Sequence, residues 1–298
     1  MVDPLAEVIT LLRPRAVYSK VISGAGAWAV RYSAFGQPSF CTMLEGECVL
    51  AVQGQEPLTL VAGDFVLMPA TPGFTLSGLA PAAPVFLDPN LQPQPEGEIR
   101  HGTRKGPPDM RILGGYFAFD SPDAALMVSL LSALLHVRGI ARLSLLVQLV
   151  REESLAHRPG RELVLGRLIE VLLIEALRGA TSEGAPPGLL RALADTRLAA
   201  AMRHMHGEPA RAWTVVELAK TAALSRSAFF ERFSRAVGVP PMEYLLAWRM
   251  AMAKDLLRRS DCALAEVAER VGYSSASTFS TAFSRHVGQA PGHYARQQ

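Results

Sequence analysis

The chain has 298 residues, 49% hydrophobic and 19% charged, which is enough for two domains with separate cores and ordinary for a soluble globular protein. No apolar run reaches the roughly 18 residues of a membrane span. No basic stretch precedes an apolar one at Met1-Val2-Asp3-Pro4 as in a secretion signal, and three cysteines without a Cys-x-x-Cys spacing argue against a disulfide framework and fit a reducing cytoplasm.

The net charge of +3 conceals a division: residues 196–298 hold 14 basic and 8 acidic side chains, a surplus of six, whereas residues 1–195 hold 16 and 19, a deficit of three. A basic surplus is what a phosphate-binding surface needs, although a solvated surface alone would also show one.

Residues 1–12 pattern as a short amphipathic helix with Leu5, Val8, Ile9 and Leu12 on one side. The period then changes. Val17–Ser19, Trp28–Tyr32, Phe40–Leu44, Cys48–Val52, Leu58–Val61 and Phe65–Met68 are short β-prone runs, punctuated by turns at Glu45-Gly46, Gln53-Gly54, Gly63-Asp64 and Pro72-Gly73. Strands at this spacing predict a small barrel or jelly roll. Leu44-Glu45-Gly46-Glu47, followed by Leu60-Val61-Ala62-Gly63-Asp64-Phe65-Val66-Leu67-Met68-Pro69, resembles a cupin domain over about residues 10–120. A catalytic cupin holds iron, manganese or zinc with imidazoles and a carboxylate. Here the first histidine is His101, and a lone Cys41 is more often an apolar filler than a ligand, so no catalytic residue, metal or cofactor is expected.

Tyr18, Trp28, Phe40 and Phe65 are candidates to line a pocket for a small apolar ligand, with plain core as the alternative. If Glu45-Gly46 is a tight turn, Cys41 and Cys48 fall close and diagonal on adjacent strands, where a redox bridge or buried filler are the two options. Pro81–Pro95 reads as an extended segment and Ile112–Phe119 as a further strand.

From Pro122 the pattern is helical, with helices expected over Ala124–Leu135, Leu143–His157 and Glu162–Leu177. The last carries Leu165, Leu168, Ile169, Leu172, Leu173 and Leu177, a face wide enough to pack within its own domain or to join two copies of the chain. Thr181–Gly188 is linker-like, and Leu189–His206 leads into the remainder. The expected domains are a barrel at 1–120, a helical and dimerising segment at 121–180, a linker at 181–195 and a helical domain at 196–298. The fold class is α+β, a cupin-like barrel followed by an all-α domain.

That last domain is a tandem duplication. At an offset of 49, Leu218, Ala219, Ala223 and Leu224 fall on Val267, Ala268, Gly272 and Tyr273; at 50, Phe229, Phe233, Gly238, Pro241 and Tyr244 fall on Phe279, Phe283, Gly288, Pro291 and Tyr294. Thr214 and Glu217 have capping-box spacing, Ser225 caps a second helix whose Phe229, Phe233 and Val237 face inward, and Gly238 stops it. The second copy repeats the plan. Each copy predicts a helix-turn-helix, at about 214–237 and 263–287, and Met242–Arg259, without Gly or Pro, predicts one long helix between them.

The run Glu266-Val267-Ala268-Glu269-Arg270-Val271-Gly272-Tyr273-Ser274-Ser275, with Phe279-Ser280, Ala282-Phe283-Ser284-Arg285, Gly288, Pro291 and Tyr294, resembles the signature of the AraC/XylS family of transcriptional regulators. The resemblance spans about 197–296 and implies a sequence-specific regulator, homodimeric, binding double-stranded DNA, responsive to a small-molecule effector and working with RNA polymerase. Ala223 stands where the second copy has Gly272, and Ala263 lacks the capping oxygen of Thr214.

In a helix-turn-helix the second helix enters the major groove, where each base pair shows a distinct donor and acceptor pattern. The residues expected to meet DNA are Arg226, Ser227, Phe230, Glu231, Arg232 and Arg235 in the first unit and Ala276, Ser277, Ser280, Thr281 and Arg285 in the second. A cupin enzyme with a partner-binding helical tail is the rival reading.

Overall fold

A computed structural model describes residues 2–88, 98–119, 134–156, 158–180, 187–259 and 262–296. They form two compact units, one of residues 14–118 with 134–180, the other of residues up to 13 with 187–296.

The first unit is the barrel. β-Branched and aromatic runs form β1 (Pro14–Ala25), β2 (Ala29–Tyr32), β3 (Ser39–Glu45), β4 (Glu47–Val52), β5 (Leu58–Val61), β6 (Phe65–Met68), β7 (Phe74–Ser77), β8 (Val85–Leu87), β9 (Ile99–Gly102), β10 (Met110–Phe119) and β11 (Leu135–Val137). One sheet runs β11-β6-β3-β10-β1-β9 and the other β5-β4-β7-β2-β8. The chain passes from β3 into β4, and so from one sheet to the other, at Gly46. Its φ of +70° suits glycine, and an added Cβ would lie 2.0 Å from the Asp109 carbonyl oxygen.

Antiparallel register sets which side chains share a face. Cys41 pairs with Val66 and Met43 with Ile112, and these join Trp28, Leu50, Leu60 and Leu76 in the inner cluster. Phe40 pairs with Leu67 and Thr42 with Phe65 on the opposite face, which is also buried: Phe40 lies 6.3 Å from Phe65 and 4.9 Å from Phe117, ring to ring. Helix α2 (Ala141–Leu155) packs against β3, and α3 (Arg161–Gly179) against β1 and α2. Ion pairs tie this unit together. Arg111 and Arg151 both donate to Glu45, and Arg138 forks onto Asp64 at 2.8 and 2.5 Å. Burial alone would raise the Asp64 carboxyl, but Arg138, the Val61 amide and His136 hold it below the usual carboxylate range.

Several expectations are corrected here. Trp28 lies inside the barrel, stacked 5.6 Å from His101, while Phe40 and Phe65 occupy the other face, so the proposed ligand-lining residues do not share one pocket. The Tyr18 side chain lies outside what is described. Cys41 and Cys48 belong to strands of different sheets rather than to an adjacent pair, and both are free and buried. Burial pushes both thiols up, Cys48 to about 12, so neither carries the thiolate that redox exchange needs. On α3, Leu165, Ile169, Leu172, Leu173 and Leu177 pack within their own unit, which answers the breadth of that apolar face. The helix expected over Ala124–Leu135 falls largely outside the described residues, and Leu135 itself opens β11.

The second unit gathers α1 (Pro4–Leu12), α4 (Leu189–Ala194), α5 (Thr196–Gly207), α6 (Val215–Thr221), α7 (Arg226–Val237), α8 (Pro241–Arg259), α9 (Leu264–Arg270), α10 (Ala276–Val287) and α11 (Pro291–Ala295). Membership differs from the expected division in two places. The expected linker at 181–195 contains α4, whose Leu189, Leu190 and Ala192 are buried. Residues 4–12, expected with the barrel, build α1 against α5 and α8. Asp3 caps this helix by accepting from the Leu5 amide, Pro4 starts it, Val8 and Leu12 enter the core around Met202, Met205 and Trp248, and Arg13 pairs with Asp255 at 2.5 Å.

Leu12 is 1% exposed, so Leu12→Ala in the full chain should cost the helical unit about 2–5 kcal/mol. Urea unfolding followed by helix content measures this; a loss below about 0.5 kcal/mol would mean that α1 is not part of that core.

Candidate nucleic-acid interface

The first helix-turn-helix is assembled by local chemistry. Thr214 accepts from the Glu217 amide at 3.2 Å and Glu217 from the Thr214 amide at 2.9 Å, the reciprocal capping box that starts α6. Ser225 accepts from the Ala228 amide and starts α7, and Gly238, at φ +93°, ends it. In the second unit Ala263 offers no capping side chain, while Ser275 accepts from the Thr278 amide to start α10.

The turns are duplicates. Leu224 donates to the Ala219 carbonyl at 2.9 Å and Tyr273 to the Ala268 carbonyl at 2.8 Å; Ala223 donates to Lys220 and Gly272 to Glu269, both at 3.0 Å. Ala223 therefore takes the left-handed conformation at φ +51° that Gly272 takes at +83°. The sites differ in surroundings. The Ala223 methyl is exposed, whereas an added Cβ at Gly272 would meet the Ala210 carbonyl oxygen at 2.6 Å.

Helix α8 carries both cores. Tyr244, Leu245, Trp248 and Ala251 join the first, and Met250 and Ala253, with Leu256 and Leu257, join the second. In the first core His206 sits with Tyr244 and Trp248, its Nε2 2.7 Å from the Tyr244 hydroxyl, and burial pushes its pKa down to about 3, so it stays neutral. The loop after α5 is gripped by Arg249, which donates to the Pro209 and Arg211 carbonyls, both at 2.7 Å. Arg211 in turn lies 3.9 Å over the Trp213 ring and pairs with Glu208 and Glu217.

Arg226, Ser227, Phe230, Glu231 and Arg235 are exposed on α7. Arg226 and Arg235 have no hydrogen-bond or ion-pair partner among the described residues. Arg232 is exposed too, but its Nε donates to Asp195, whose other oxygen caps α5 through the Arg197 and Leu198 amides. This side chain joins α7 to α5. On α10, Ser277, Thr281 and Arg285 are exposed and Ala276 and Ser280 half-buried. Ser280 donates to the Ala276 carbonyl at 2.7 Å and Thr281 to that of Ser277 at 3.1 Å, so these hydroxyls turn mainly acceptor lone pairs outward. Sequence reasoning missed Asp195, which holds Arg232, and Arg249, which grips the loop after α5. Only Arg249, a charge beside the apolar stripe of α8, carried a signal.

Among the described residues no helix is long and apolar enough to cross a membrane, and no three His, Cys, Asp or Glu side chains group as a metal site would require.

Two helix-turn-helix units with matching turns, joined by one helix and exposing the polar side of each second helix, define a DNA-binding module with two recognition elements per chain. A family model described as a helix-turn-helix domain matches residues 218–297, and one described as a cupin matches residues 3–181. The chain belongs to the AraC/XylS family of transcription regulators, in the form that carries an N-terminal cupin domain. It is 37% identical over 300 residues to a protein of Streptomyces lividans named as an AraC-like transcription regulator, covering 98% of this chain and 97% of that one. A counterpart from Streptomyces antibioticus is 36% identical with 98% of each covered. The transcriptional regulator AlkR of Acinetobacter baylyi is 29% identical over 91% of this chain and 92% of its own.

The turn geometry gives a paired expectation. Ala223→Gly should leave stability unchanged or raise it by up to about 1 kcal/mol, whereas Gly272→Ala should lower it by more than about 1 kcal/mol. Urea midpoints measure both, and equal small effects would show that the Ala210 approach carries no weight.

Proposed function

We infer that the two recognition helices enter successive major-groove segments of one operator with unequal roles. The supporting observation is the asymmetry of their exposed faces. Helix α7 offers an unpartnered Arg226, an exposed Glu231 and an exposed Phe230. A guanidinium binds guanine bidentately, a carboxylate accepts from cytosine, and an aromatic edge meets a thymine methyl, each good pair worth roughly 1–3 kcal/mol of discrimination. Helix α10 offers Ser277 and Thr281, short groups of which Thr281 donates to the Ser277 carbonyl and Ser277 shares a hydrogen bond with Ser275, with Arg285 beyond them. In this reading α7 supplies most base discrimination, while α10 supplies fit to the groove and Arg285 takes a phosphate.

Pairing two chains would double the contacts and raise effective concentration on a two-half-site operator. The surface that supports this is not the buried face of α3 but the outer side of α2 and α3, where Leu145, Leu149, Leu163, Val164 and Val171 are exposed. The same family membership supports control by a small molecule acting on the barrel and a cytoplasmic location.

Arg226→Ala should relax preference at one or two base positions in a binding-site selection. Arg285→Ala should weaken all sequences about equally and flatten the dependence of log affinity on log salt by about 0.9. The division of labour is backwards if Ser277→Ala with Thr281→Ala removes more preference than Arg226→Ala with Glu231→Ala.

Leu145→Glu with Leu149→Glu should turn a dimer into a monomer in sedimentation while leaving the helix content unchanged; a doubly substituted chain that still sediments as a dimer places the interface elsewhere.

A further inference from the structure

Beside α7 lies a cleft of about 380 Å³ whose lining includes Arg191, Asp195, Ala228, Glu231, Arg232 and Arg235. Its far wall is α4, which docks on α7 through the Gly188 amide donating to the Ala236 carbonyl at 2.8 Å. Of its two acids Asp195 is already matched, because it holds Arg232 and the capping amides of α5. Two guanidiniums remain, Arg191 from α4 and Arg235 from α7, neither with a hydrogen-bond or ion-pair partner among the described residues. Glu231 is the only unmatched acid in the lining.

The position of the cleft says what reaches it. At 3.6 residues per turn, successive positions rotate by about 100°. Ser227 and Glu231 then point away from the buried Phe229 and Phe233, Arg226 stands at the helix N-terminus that enters the groove, and Ala228, Arg232 and Arg235 lie to one flank. A helix with its side chains is about 10–12 Å across and the major groove about 12 Å wide, so a helix reading bases with its outermost side has a phosphate strand along each flank. The cleft opens on one such flank.

We propose that this cleft seats a backbone phosphate of the bound DNA between Arg191 and Arg235, so that α4, upstream of the helix-turn-helix itself, is part of the DNA interface. The Arg232–Asp195 ion pair positions the pocket by fixing α7 against the start of α5. Arg191 gives affinity and register without base preference. This rests on α7 being the base-reading helix.

The test uses full-length protein and two duplexes of unrelated sequence, titrated between about 50 and 200 mM salt. Arg191→Gln and Arg235→Gln should each flatten the log–log salt dependence by about 0.9, a fall across that range about 3.5-fold smaller than for the parent chain and the same on both duplexes. Arg191→Lys should restore most of the slope, which a purely structural role for the guanidinium would not predict. The double Gln variant should lose less than the sum of the two, since both side chains hold one phosphate. Unchanged slopes in variants of a chain that binds both duplexes would overturn this site alone, as would a loss confined to one duplex. A parent chain that binds neither duplex would overturn the DNA-binding reading along with it. Inorganic phosphate raising the melting temperature of the parent chain but not of Arg191→Gln would assign the cleft to a free anion instead of DNA.

Discussion

Arg249 is the constraint on which a two-headed DNA reader depends. A half-buried guanidinium is costly to bury unless its protons are taken up, and here two backbone carbonyls of one short loop, those of Pro209 and Arg211, take them. Burial pulls its pKa down, yet an arginine has so far to fall that the charge persists. The loop it grips also presents Ala210 to Gly272, in the turn of the second helix-turn-helix. The two readers are thus fixed to one another by a helix that shares their cores and by a loop that touches the second turn. DNA repeats its groove about every 34 Å, so two recognition helices that could slip in phase would match no operator well.

The barrel is governed by a different economy. The middle of its larger sheet is buried on both faces, which is why β3 is buried at six consecutive positions rather than alternating. A strand of this kind leaves no face for water, so its few polar groups are accounted for internally: Thr42 donates to the Asp64 carbonyl and Thr71 to Ser39. Phe40, Phe65 and Phe117 support the sheet from beneath α2 and α3, and they leave the inner cluster to Trp28, Met43 and Leu50.

What the sequence disclosed follows from how local each determinant is. The helix-turn-helix pair was legible because its signals act within four residues: Thr214 with Glu217, Ser225 with Ala228, Gly238 after Val237, and Ala223 in a backbone state its partner fills with glycine. Strands β7, β8, β9 and β11 were not, since what makes them strands is pairing with distant segments, as Val85–Leu87 pairs with Val30–Tyr32. The apolar side of α3 announced that it needs a neighbour and not that the neighbour is its own sheet. Arg232 shows the same limit within the site, for nothing in its spacing reveals the carboxylate of Asp195 waiting 37 positions upstream.

The placement of α1 makes the barrel an insertion. Residues 4–12 and 187–296 build one unit, and residues 14–180 lie between them along the chain. On the ribosome, the apolar side of α1 emerges first and its partners, Met202, Met205 and Trp248, emerge after some 190 further residues. At about 5–20 residues per second that is a wait of roughly 10 to 40 s, during which Val8 and Leu12 have nothing native to cover them. Closing so long a loop costs only logarithmically more than closing a short one, so the delay is set by synthesis rather than by chain entropy. The DNA-binding unit is therefore completed by its earliest residues only after Trp248 has been made.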